Sequence, residues 1–227
     1  MKKIMLMMCM VATAMSCFAQ EEKQEANRPP SPEMQAIETA MGLAKYGYAN
    51  YSATALAEAA KILSETKTQD LDVKKESGSG EKSGTKSSLM TFDPVQMIAD
   101  AKKYAGKDKT TLAYIAQIEK IVKEKGSATR GAVGGPREAR SYVYANSYDT
   151  YVCKFWANEL AEVGVVGDGD CDLDLYIYDS NGNLIASDTD YTDQCYCRWM
   201  PKWTGSFTIK IVNRSRLVYS NYILVTN

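Results

Sequence analysis

At Ser141 the spacing of apolar residues changes from helical to alternating, and no other feature of the sequence constrains its architecture as much. From there, 141–145, 150–156, 161–166, 172–178, 183–187, 195–200, 206–212 and 219–225 read as about eight strands. Turn residues separate them roughly every ten positions. Short strands at regular spacing predict an antiparallel β-sandwich, jelly-roll-like, and not a parallel sheet. Ten of the fifteen tyrosines and all three tryptophans lie in this part, so its core should be rich in aromatic rings.

The first half has a helical period. Ser31-Pro32-Glu33 places a capping hydroxyl, a proline at the first helical position and an acid in the first turn. Met34, Ile37, Met41 and Ala44 follow at helical spacing, until Gly47 and Asn50 interrupt. Ser52 starts a second stripe of Leu56, Ala59, Ala60 and Leu63. Asp93-Pro94 starts a third with Met97, Ile98, Ala101 and Tyr104, and Leu112, Ile115, Ile118 and Val122 mark a fourth from about Lys109 to Lys125. Helices this short are marginal alone in water and must pack, so two helical hairpins are expected. Residues 66–90 are mostly Lys, Glu, Ser, Gly and Thr, a composition that predicts a disordered linker. Residues 126–140, with several glycines and a proline, predict a connector. The fold class is therefore α+β in two parts: short-helix hairpins over 31–125 and a β-sandwich over 141–227.

Met1-Lys2-Lys3, an uncharged run from Ile4 to Met15 and the small residue Ala19 have the form of a secretory signal peptide over 1–19, followed by a flexible lead over 20–30. Cleavage after Ala19 would leave a periplasmic or secreted protein. Lipidation at Cys17 is the alternative, although Ala14-Met15-Ser16 lacks the leucine of a lipobox. The apolar run is too short to span a bilayer, and no later stretch qualifies. Outside residues 1–19 only Cys153, Cys171, Cys195 and Cys197 remain. An even number in an exported chain makes them disulfide candidates. Cys195 and Cys197 should share one face of a strand, so each would reach a neighbouring strand. A zinc site is disfavoured, because there is no CxxC and no histidine.

Net charge is −1, which gives no electrostatic reason to expect nucleic acid. From Ser141 onward, however, eleven Asp and Glu face six Lys and Arg, and eight of those acids lie between Asp168 and Asp193. Calcium takes six to eight oxygen ligands. Asp168, Asp170 and Asp172 alternate in a glycine-bearing loop and could wrap one ion, with Asp174 or Asp190 closing the shell. An EF-hand is excluded, since Leu173 stands where its glycine should be and the run continues as a strand. The hairpin after it should turn at Asn181-Gly182, with both residues at the positive φ of a type I′ turn.

Asp172-Leu-Asp-Leu-Tyr-Ile-Tyr-Asp, Asn181-Gly182, Trp199-Met-Pro-Lys-Trp203-Thr-Gly205 and Phe207-Thr-Ile-Lys-Ile-Val-Asn213 together resemble the bacterial pre-peptidase C-terminal domain. The resemblance covers about residues 141–227. It implies a non-catalytic β-sandwich associated with secretion or attachment, in a family where some members bind calcium or collagen. No peptidase region precedes it here.

The absence of histidine excludes Ser-His-Asp and Cys-His nucleophiles and HExxH zinc sites. Gly131-Ala-Val-Gly-Gly-Pro lacks the ending of a phosphate-binding loop. The expectation is an exported, non-enzymatic protein whose sandwich binds an extracellular or envelope polymer or protein, with calcium as the candidate ion. Tyr142, Tyr144, Tyr148 and Tyr151, or Tyr191 and Tyr196, are candidates for an aromatic binding face. Alternatives are an assembly role, with the helical half packed on a partner, and, less favoured, a carboxylate-based hydrolase.

Overall fold

The helices begin where the capping residues stand. In the computed structural model, which describes residues 30–78, 84–85, 90–126, 136–169 and 171–227, α1 spans Pro32–Asn50, α2 Ala53–Glu65, α3 Pro94–Ala105 and α4 Lys109–Gly126. Ser31 Oγ accepts from Met34 N, Ser52 Oγ from Ala55 N, Asp93 Oδ1 from Val95 N and Asp108 Oδ1 from Thr110 N, each satisfying an amide with no partner inside its helix. The expected break at Gly47 does not occur, and α1 continues to Asn50. Gly47 is buried because Leu56 of α2 packs directly on it. The helix ends at Tyr51, whose φ is 53°. α2 is the central helix and touches the other three.

Ten strands are present among the described residues: β1 Gln69–Asp70, β2 Glu76–Ser77, β3 Arg137–Val143, β4 Tyr148–Phe155, β5 Ala161–Gly167, β6 Leu173–Tyr178, β7 Leu184–Asp188, β8 Gln194–Trp199, β9 Gly205–Asn213 and β10 Ser220–Thr226, of which the last eight follow the expected alternation. Sheet A has the order β1-β3-β10-β5-β8 and sheet B the order β2-β4-β9-β6-β7. All pairings are antiparallel except β1 with β3. The chain is an α+β protein whose C-terminal half is a β-sandwich. Its core is built from alternate residues of both sheets, among them Tyr151, Phe155, Leu175, Ile177, Trp199, Phe207, Ile209 and Tyr222. Phe155, Trp199, Phe207 and Trp203 form one run of ring contacts through it.

The helices add a third layer. Ile223 and Val225 of β10 and Val166 of β5 point away from the sandwich and join the helical core around Met34, Ile37, Met41 and Leu56. Burial of each such aliphatic side chain stabilises by roughly 1.5–3 kcal/mol. β5 is consequently buried along its whole length, and a Cβ on Gly164 would lie 2.3 Å from Met34 Sδ. Polar contacts fasten the same seam: Lys45 Nζ to Asp193 Oδ1 at 2.5 Å, and Arg140 Nη1 to the Phe92 carbonyl at 2.6 Å.

The 66–90 stretch departs from the linker expectation where it is described. β1 and β2 add one short strand to each sheet, Leu71 is buried in the sandwich with Val73 packed against it, and Met90 is buried among the helices. Few apolar residues suffice because each is seated in a core that is already built. The expected signal peptide, the lead up to residue 29 and residues 127–135 of the connector expected over 126–140 lie outside the described residues. Of the rest of that connector, Gly126 ends α4 and β3 already begins at Arg137, because its pairing with β10 extends the sheet ahead of Ser141.

Candidate binding face on the open sheet

With helices across sheet A, the outer face of sheet B is the sandwich surface they leave uncovered. The register places its outward residues in rows. Tyr148, Val212 and Asp174 form one row, Thr150, Lys210 and Tyr176 the next, then Val152, Thr208, Tyr178 and Leu184. Val152 and Leu184 are each more than half exposed. The alternation of β4 continues past its end, so Lys154 and Trp156 belong to the same face, and the Lys154 ammonium lies 4.7 Å from the Trp156 ring centroid.

At one end of this face is a groove of about 330 Å³, lined by Asn146, Tyr148, Tyr176, Tyr178, Lys210 and Arg214 among others. Tyr176 and Tyr178 stand nearly parallel, with an interplanar angle of 21° and centroids 6.3 Å apart. Lys210 Nζ sits 4.1 Å from the Tyr148 centroid, a favourable position over the electron-rich ring. The other wall is polar. Arg214 donates to buried Asp174 and, at 2.8 Å, to the Tyr176 hydroxyl, which itself donates to Asp174 at 2.9 Å. Burial, then the bond to Asp174, raises the Tyr176 hydroxyl above its ordinary range, so it stays protonated. Ring faces, hydroxyls and cations in an open groove can hold a polar ligand of sugar or peptide size.

Of the tyrosines singled out in the sequence, Tyr148 alone reaches this groove. Tyr151 points inward and is buried, and Tyr142 and Tyr144 pack with Tyr219 at the edge of sheet A. Tyr196 is held by Glu162, and Tyr191 is almost fully exposed. Tyr176 and Tyr178 lie within the acidic hairpin, and their i, i+2 spacing, which puts both rings on one face of β6, is the sequence signal for them.

Of the aspartates proposed as calcium ligands, Asp168, Asp174 and Asp190 have separate partners. Asp168 accepts from Ser220 Oγ at 3.1 Å and from Asn221 Nδ2 at 2.6 Å, fixing the start of β10. Asp174 is paired with Arg214, and Asp190 closes a turn on Thr192. Asp172 has one buried oxygen with no hydrogen-bond partner; burial, followed by neighbouring Asp174, raises its carboxyl. Asp170 lies outside the described residues. Among the described residues no three acidic, cysteine or histidine side chains converge as a metal site.

Nor does any disulfide join the cysteines among the described residues. Cys195 and Cys197 do share the inward face of β8, as their spacing requires, and Cys153 is buried on β4. Cys195 Sγ bonds to the Leu173 carbonyl and Cys171 Sγ to that of Val218. Burial pushes the Cys153 thiol up to about 11 and that of Cys197 to about 12. The hairpin also differs from expectation: only Gly182 of the Asn-Gly pair has positive φ. Gly182 N bonds to Asp179 O, and the Asp179 carboxylate accepts from Asn181 N and Asn183 N, so a side chain shapes the turn that a type I′ backbone would otherwise make.

Neither a scan against models of known protein families nor a search of curated proteins finds a match for this chain. Among the described residues no helix is long and apolar enough to cross a membrane.

Proposed function

We propose that this is an exported, non-catalytic protein, and that its sandwich, of the pre-peptidase C-terminal type, binds or attaches to an extracellular or envelope polymer. The observation that carries the reading is the asymmetry of the two sheets. The outer face of sheet A is closed by the protein's own helices, whereas sheet B presents Tyr148, Tyr176, Tyr178, Lys210 and Arg214 around an open groove. Amphipathic rings beside fixed polar groups are what a flat, extended polymer requires for contact. The helices find their apolar partner in sheet A, which favours a binding role over assembly through an unpaired helical half.

The purified protein, applied to an array of glycans and matrix proteins, should retain at least one polymer. Tyr178→Ala should release it without altering the circular dichroism spectrum. Absence of binding across the array would refute the reading.

A further inference from the structure

The open face carries two ammonium groups held in the same unusual way. Lys210 lies over Tyr148 and Lys154 over Trp156, at 4.1 and 4.7 Å from the ring centroids. Neither makes an ion pair among the described residues. A cation seated on a ring is positioned without being neutralised, so its charge remains available to an incoming anion. The Tyr148 seat is itself fixed, since a Cβ on Gly78 would come within 2.5 Å of the ring. Lys210 pairs in register with Thr150, and Lys154 lies four residues farther along β4. That separates the two lysines by roughly 13 Å along the strand.

We propose that this face takes a linear acidic polysaccharide of the polyuronate class, with its carboxylates on Lys210 and Lys154. The inference rests on the polymer-binding reading above and names the polymer's chemistry. A small anion would meet one lysine at a time. A chain with repeated carboxylates meets both, and its second contact is made at high effective concentration. Between the lysines, Val152, Tyr178 and Leu184 offer an apolar row to the C–H faces of sugar rings. Charge density selects among polyanions. One carboxylate per sugar along a linear chain suits two separate cations held roughly 13 Å apart.

The test titrates the purified protein with polygalacturonate and with its fully methyl-esterified form, using wild type, Lys154→Gln and the Lys154→Gln, Lys210→Gln double variant. Polygalacturonate should bind. Esterification or the double variant should weaken binding by about tenfold or more, with the single variant in between, and added salt should weaken the wild type alone to a similar extent. Equal binding of acid and ester, indifference to the lysine variants, or preference for heparin or duplex DNA overturns the inference while leaving the polymer-binding reading in place. Failure to bind either form, together with a blank array, overturns both.

Discussion

The hydroxyl of Tyr222, on sheet A, donates to the carboxylate of Asp149, on sheet B, at 2.8 Å inside the sandwich. The same carboxylate accepts from Ser77 Oγ at 2.6 Å and pairs with Lys75 at 3.2 Å, and the Tyr151 and Tyr222 hydroxyls are 2.7 Å apart. One buried acid thus ties both sheets to the 66–90 segment. A bond to a buried charged group contributes about 1.5–3 kcal/mol. Tyr222→Phe should lower unfolding stability by that amount in urea titration. Asp149→Ala should cost more, about 3–5 kcal/mol, because it strands several donors at once.

Gly47 poses a contest between two effects. Alanine in a helix interior is favoured over glycine by about 1 kcal/mol. A Cβ at Gly47, however, would lie 2.8 Å from Leu56 Cγ and 3.1 Å from the Leu56 backbone nitrogen, which cannot swing aside. Overpacking of this kind costs about 1–3 kcal/mol. Gly47→Ala should therefore destabilise, and a higher denaturation midpoint would show that α2 can move away from α1.

Much of this arrangement could be read from residue spacing. The strands over 141–227 and the caps at Ser31, Ser52 and Asp93 are local signals, and local signals survive folding. Gly47 does not break α1 because the same glycine that weakens a helix also admits a neighbour, and only tertiary contact distinguishes the two. β1 and β2 were invisible because two-residue strands carry no period. Turn-forming aspartates and calcium ligands are the same residue type in similar loops, so spacing alone does not separate the two roles. Asp168, Asp179 and Asp190 bond to nearby backbone amides and side chains.

Asp172 gives a pH-dependent test. Its carboxyl is raised by burial and by Asp174, so its ionisation opposes folding. The stability linked to it is present below the unfolded value and is lost as pH rises through the folded one. Asp172→Asn should therefore raise the melting temperature at neutral pH and leave it unchanged at pH near 3. If this carboxylate held calcium, the variant would melt lower than wild type in the presence of the ion.

The buried thiols titrate in the opposite part of the pH range. Cys153 and Cys197 are raised by burial to about 11 and about 12, so the native state keeps its protons after the unfolded chain begins to lose them near pH 9. Stability should be level from pH 6 to 8 and should decline above pH 9. Alkylation of the native protein at pH 8 should modify half-buried Cys171 first. Cys153, Cys195 and Cys197 should react only with unfolding, which mass spectrometry can follow residue by residue.

The third layer sets the final prediction. Val166, Ile223 and Val225 are buried only because helices lie over them, and Leu71, Val73, Lys75 and Ser77 come from the segment before α3. A fragment confined to 141–227 would expose an apolar stripe across the middle of sheet A and leave Asp149 without Lys75 and Ser77. Exposed patches of this kind promote association. The fragment should therefore bind a hydrophobic dye and self-associate in light scattering, whereas the full chain should not. Ile223→Thr together with Val225→Thr should restore solubility to the fragment and destabilise the full chain, because the same two side chains change from liability to core when α1 and α2 are present. A fragment that stays monomeric and melts cooperatively without those substitutions would show that the helices sit on the sandwich without supporting it.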